Sequence, residues 1–288
     1  MPRKNKAHPV EKPPGPRRRA LGLKRLAQAA PQTLEEAIAR IAELEARHES
    51  IRRELSEARR LNRAATIDIG FALELERRRS MELEEAYYDT ILRLTRASAY
   101  KDRETGAHIQ RVSHYARVLA RHLGWSDDDQ VLIFRAAPMH DVGKIAIPDD
   151  LIRKAGSLDG GDRKVMESHT LIGASLLEGS NSRLLDMARE IALTHHEHWD
   201  GSGYPHKLTG EQIPISGRIV MLSDHYDALR SRRSYKRPFD HDSTCRIILD
   251  GDGRTLPSHF DPKLLEIFRV AHGEFDAIFE QNKDESQR

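Results

Sequence analysis

At 288 residues, with 38% hydrophobic and 32% charged positions, the chain is long enough for one large domain or two modest ones with a buried core, and its charge excess points to long exposed helices. Cys245 is the single cysteine, which excludes an intrachain disulfide and favours a reducing compartment. Neither a run of roughly 18 apolar residues nor a secretory signal is present, so the expected location is the cytoplasm. Residues 1–25 carry nine Lys/Arg against Glu11 alone, so the formal +2 of the whole chain leaves an acidic remainder. A body of that sign is a poor general nucleic-acid binder.

Residues 1–32 are Pro-rich and basic, the composition of a disordered, solubilising tail. Over 33–95 proline disappears and Ala37, Ile41, Leu44, His48, Ile51, Leu55, Ala58, Asn62 and Ala65 alternate at spacings of three and four. This predicts a coiled-coil stalk and a parallel homodimer, with a helix folded back on its own domain as the alternative. The polar Asn62 on the seam is a device that fixes register. After Gly70 the helical pattern continues to Tyr87–Leu92, where the globular part, residues 96–282, is expected to begin.

Glu104 and His108 lie four apart and would share a helix face, ahead of an apolar stripe of Val112, Tyr115, Ala116, Leu119 and Leu123. A helix over 127–142, with Ser126 as N-cap and Asp127–Asp129 in its first turn, delivers His140 and Asp141 into apolar surroundings. A buried aspartate needs a compensating cation, and a metal is the natural one; Lys144 follows three residues later. A helix over 162–177 carries His169, and one over 182–194 ends at His195 and His196, followed by the glycine-rich turn Asp200–Pro205. Over 214–230 a further helix places Asp224 and Asp227 on one face, ahead of a basic cluster containing Arg233 and Lys236 that suits phosphate. Two closing helices, near 241–249 and 262–278, show aliphatic stripes and no obvious chemistry. Histidine nitrogens and carboxylate oxygens in this mixture suit first-row divalent metals, and one cysteine cannot build a thiolate zinc centre.

The ordered series Asp102-Arg103-Glu104-Thr105-Gly106-Ala107-His108, His140-Asp141-Val142-Gly143-Lys144, His169, His195-His196-Glu197-His198-Trp199-Asp200-Gly201-Ser202-Gly203-Tyr204-Pro205, Ser223-Asp224-His225-Tyr226-Asp227 and Phe260-Asp261-Pro262 resembles the HD-GYP family of HD-domain phosphohydrolases from about Ala99 to Phe268. The resemblance implies an all-α HD-domain bundle that hydrolyses cyclic di-GMP to pGpG and/or GMP, with two or three ions, iron or manganese, sharing an attacking hydroxide. By the same resemblance His108, His140, Asp141 and Asp224 hold one ion, and Asp141 bridges to a second held by His169, His195 and His196. Glu104 matches a carboxylate of three-metal members. Asp141 and Lys144 would be catalytic, with Lys144 facing the phosphate, while Tyr204, Asp227, Arg233 and Lys236 would contact substrate. Ser223, His225 and Ser234 depart from the usual residues, none at a ligand position. The alternatives are an inactive cyclic di-GMP sensor signalling through the stalk to a protein partner, and a phosphohydrolase of another nucleotide.

Overall fold

The computed structural model describes residues 33–101, 106–154, 156, 158–231 and 238–283. These form helices and no strand, in agreement with the all-α expectation. The chain divides into two compact units, Met1–Met81 and Glu82–Arg288. The expected tail over 1–32 lies outside the described residues.

The first helix, α1 (Leu34–Lys101, 68 residues), covers the heptad segment without interruption. Thr33 and Glu36 open it reciprocally, the Glu36 amide donating to Thr33 Oγ1 at 3.2 Å and the Thr33 amide to Glu36 Oε2 at 3.4 Å, which satisfies two amides that a helix start leaves orphaned. Within the first unit the seam side chains are solvated: Ile41, Leu44, Ile51 and Leu55 are 50–56% exposed.

In the second unit, α2 (Gly106–His122) packs against α3 (Asp127–Ala136), α8 (Ile215–Arg230) and α10 (Pro262–Gln281). Its apolar stripe meets an aromatic core in which Tyr115 stacks on Phe275 at 4.6 Å and Tyr226 and Phe268 approach the same ring edge-on at 5.2 Å. The closing helices α9 (His241–Asp250) and α10 complete this core through Ile248, Leu264 and Phe268, each fully buried. Aromatic groups of this size contribute several kcal/mol each through burial and edge contacts.

Two expected helices are broken, and both breaks matter to the site. The helix expected over 127–142 ends at Ala136 and continues as a 3-10 segment, Ala137–Ala146. Pro138 is the cause: it has no amide to donate to the preceding turn and its ring crowds that turn's carbonyl. Three residues per turn then eclipse i and i+3, which sets Asp141 directly under Lys144. The helix expected over 162–177 is divided into α5 (Gly160–Glu167) and α6 (His169–Leu176) by Ser168. The Ser168 hydroxyl donates to the Val165 carbonyl at 2.6 Å, a local bond that competes with the helical ladder. Between these lies the single turn α4 (Asp149–Ile152), and α7 (Arg183–Thr194) follows as expected.

The last turns of α1 lie on the 3-10 segment. Ser98 donates to the Val142 carbonyl at 3.2 Å, and Lys101 Nζ donates to the Ile145 carbonyl at 2.8 Å while pairing with Asp149 at 3.3 Å.

Candidate metal centre

Three histidines reach the centre from three different segments, His140 from the 3-10 segment, His169 from the start of α6 and His195 from the end of α7, and each is oriented by a backbone carbonyl. His140 Nδ1 donates to Ala137 O at 2.9 Å, His169 Nδ1 to Met166 O at 2.6 Å, and His195 Nδ1 to Ile191 O and Ala192 O at 3.1 and 3.2 Å. A carbonyl can only accept, so these Nδ1 atoms carry the proton and each Nε2 presents a lone pair to the site. All three rings are buried, at 1% exposure. His195 can do this beside His196 because it occupies the α7 C-cap, where the chain leaves the helix.

Asp141 stands among them. Its Oδ1 lies 3.1 Å from His169 Nε2 and 3.5 Å from His195 Nε2, and those two nitrogens are 3.5 Å apart. Its Oδ2 faces the other way, 3.2 Å from His140 Nε2 and 2.6 Å from Lys144 Nζ. Burial works to raise its carboxyl, but Lys144, then His140, hold it well below the ordinary carboxylate range. Burial depresses His195 and, together with its neighbour His195, depresses His196 well below the usual imidazole value, so both favour the neutral, ligating form. Asp141, His169, His195 and His196 each offer an atom within 4.8 Å of the others.

A second group adjoins the first: His108, His140 and Asp224 also converge within 4.8 Å. Asp224 Oδ1 is 3.7 Å from His108 Nε2 and 4.0 Å from His140 Nε2. Asp141 turns one oxygen toward His169 and His195 and the other toward His140. Seven of the eight expected ligands therefore meet, and the eighth, Glu104, lies outside the described residues. The donors fit divalent cations: several lone pairs and carboxylate oxygens point into one small buried volume, an arrangement that repels itself without positive charge.

Asp227 corrects one expectation. It does not face substrate: it is fully buried behind His108, with Oδ2 at 2.8 Å from His108 Nδ1 and both oxygens held by Arg111 at 2.6 and 2.8 Å. Helical spacing explains this, since Asp224 and Asp227 on one face of α8 reach the two opposite nitrogens of the same imidazole. Arg111, also fully buried, is absent from the sequence reading, although its place on the stripe His108, Arg111, Val112, Tyr115 was the signal: a charge on a core-facing stripe needs a buried partner.

Tyr204 stacks on His196 at 4.7 Å and meets His169 edge-on at 6.4 Å, so it borders the candidate ligands. Buried Glu197, also missed because it sits inside a run of histidines, fixes this loop by accepting from the amides of His206 at 2.7 Å and Leu208 at 3.0 Å. A side chain on Gly203 would overlap the backbone of His196 and His198, so glycine there lets the turn fold tightly under the histidines. Arg233 and Lys236 lie outside the described residues. No helix among the described residues is long and apolar enough to cross a membrane.

A family model described as HD domain matches residues 92–264. The chain is 43% identical over 198 residues to a 3'3'-cGAMP-specific phosphodiesterase 2 of Vibrio cholerae serotype O1, covering 69% of this chain and 37% of that one. It is 42% identical over 207 residues to a cyclic di-GMP phosphodiesterase of the same organism, covering 67% and 41%. A crystal structure of a V. cholerae cyclic GMP-AMP specific phosphodiesterase, V-cGAP3, matches with a TM-score of 0.50 at 18% identity, covering 69% of this chain and 51% of that one, a similarity of fold. The chain spans about four tenths of the length of the two curated relatives.

Proposed function

Because the chain belongs to the HD domain family, we propose that it is a metal-dependent phosphodiesterase hydrolysing cyclic di-GMP to pGpG and/or GMP. The observation that carries this reading is the convergence of His169 Nε2, His195 Nε2 and Asp141 Oδ1 on one volume, with three acceptors mutually 3.1–3.5 Å apart. His108, His140, Asp141 and Asp224 would hold one cation and His169, His195, His196 and Asp141 another. Imidazole and carboxylate donors together suit first-row divalent ions, of which iron or manganese is the choice that the family resemblance implies, and Glu104 would serve a third ion. Cations held there would acidify water near neutral pH and offset negative charge growing on the phosphoryl oxygens. Lys144, 14% exposed beside Asp141, would meet the phosphate, and Tyr204 would offer a ring face to a base. Arg233 and Lys236 would bind the distal phosphate. The chain would act in the cytoplasm as a homodimer through residues 33–95.

A second substrate, 3'3'-cGAMP, is favoured by the 43% identity to an enzyme named for it. The inactive-sensor reading is disfavoured by the seven assembled ligands. Protein purified anaerobically, analysed for metals and assayed on cyclic di-GMP and 3'3'-cGAMP tests these readings together. The wild type should turn over one of them, and Asp141→Ala should lose bound metal and at least about a hundredfold in rate, the upper range for disturbing even an outer-shell partner. Full turnover by metal-loaded Asp141→Ala would sink the scheme; tight binding of cyclic di-GMP without turnover by the wild type would convert the enzyme into the sensor.

A further inference from the structure

Away from this centre, the two closing helices bring three further donors together. His241 and Cys245 are four residues apart on α9 and share a face; His272 approaches them from α10. His241 Nε2 lies 2.9 Å from His272 Nδ1 and 3.6 Å from Cys245 Sγ. One ligand atom from each of the three falls within 4.8 Å of the others.

We infer that His241, Cys245 and His272 form a second metal site, for a zinc-class divalent cation, with solvent in the fourth position. Bond lengths of about 2.0–2.1 Å to nitrogen and about 2.3 Å to sulfur give tetrahedral edges of about 3.6 Å for N···S and about 3.3 Å for N···N. The His241–Cys245 separation already matches, and the two imidazoles need to part by about 0.4 Å from their 2.9 Å contact. The orienting contact of a metal-binding histidine is also in place: the buried Tyr226 hydroxyl lies 2.8 Å from His241 Nδ1 and can accept its proton, leaving Nε2 for the cation. Asp276 Oδ1 lies 3.7 Å from His241 Nδ1 but is held by Arg230 at 2.6 Å, so it offsets the nearby guanidinium rather than ligating. Cys245 is 9% exposed and the His241 side chain 17%, which leaves a short path for ion entry. A thiolate donor distinguishes this site from the first and selects softer metals.

Binding requires the thiolate, so the Cys245 proton passes to solvent as the metal–sulfur contact forms.

Cys245 is the chain's single cysteine, so a thiolate-to-cobalt charge-transfer band in the near ultraviolet reports this site and cannot come from the His/Asp centre. The 288-residue chain titrated anaerobically with Co(II) should develop that band and bind one more equivalent per chain than Cys245→Ser or His272→Gln. Both variants should lose the band while keeping the far-ultraviolet circular dichroism of the parent. Absence of the band in the wild type overturns the site, and so does a band that persists undiminished in His272→Gln, because the thiolate would then bind cobalt without the helix pair.

Discussion

Asp227 shows how a side chain can shape a candidate metal centre from behind one of its histidines. A carboxylate with no exposure survives in the ionised form only where hydrogen bonds and opposite charge replace its lost hydration. Burial would raise its pKa, but Arg111 and then His108 hold it far below the ordinary carboxylate range. The same carboxylate holds the proton of His108 on Nδ1 and turns Nε2 toward Asp224. Asp227→Asn keeps the shape and removes the negative charge that Arg111 and His108 both contact. Breaking such a pair typically costs about 3–5 kcal/mol, and loosening a ligand's orienting partner costs about 10–100-fold in metal affinity. Urea denaturation and metal titration should show both losses; parental stability would refute the buried-pair argument. A second residue, His198, sets a pH dependence apart from the ligands. It stacks on His259 at 4.2 Å and contacts the Ser202 hydroxyl at 2.8 Å, and burial, with His259 adding to it, lowers its pKa to about 4. The unfolded chain, with an ordinary value near 6.5, therefore binds more protons between those two pH values. Stability should be complete above about pH 6.5 and fall as pH drops toward 4. His198→Asn should flatten that slope in urea midpoints measured at pH 7.5 and pH 5; an unchanged slope would assign the effect to other groups.

At the scale of elements, the 3-10 segment is the piece on which the centre turns. It presents His140 and Asp141 and stacks Lys144 above Asp141, and it approaches α6 so closely that a Cβ on Gly143 would overlap the His169 carbonyl and lie 2.5 Å from the Gly173 amide. Both obstacles are backbone, which cannot rotate away. Gly143→Ala should therefore destabilise by about 1–3 kcal/mol, the range for overpacking, and should weaken metal binding by pushing His169 from Asp141. Equilibrium denaturation and metal analysis check the pair of effects; a variant as stable as its parent would mean that the two segments part freely. The sequence made the ligand types and most helix ends legible, because Ser126, the acidic first turn of α3 and the 3.6-residue stripes are local signals. It hid the bend after Ala136, whose cause, Pro138, was in plain view but lay inside a long apolar run that masked its effect. It also hid the pairing of His241 and Cys245 with His272, because closeness between separate helices leaves no mark on spacing within either one.

For the molecule as a whole, the open question is what covers the stripe of α1. Ile41, Leu44, Ile51 and Leu55 remain half or more exposed, and burying such groups is worth about 1.5–3 kcal/mol each. A second copy of the chain, paired along the same seam, is the cover that the heptad spacing predicts. The polar seam residues then acquire a purpose. Asn62 falls at the same heptad position as Ile41 and Leu55, the position at which one buried Asn lowers stability and fixes register and strand number. Sedimentation equilibrium should find the full chain as a dimer, and Leu44→Asp combined with Leu55→Asp should make it a monomer, since two pairs of like charges would face each other on the seam. Asn62→Leu should act oppositely, raising the thermal midpoint of the coil while permitting higher oligomers or shifted registers, visible as a mixture of species. A dimer that persists in the double Asp variant would remove the stalk as its interface, and an Asn62→Leu chain that is still purely dimeric and no more stable would place Asn62 on the solvated side of the helix.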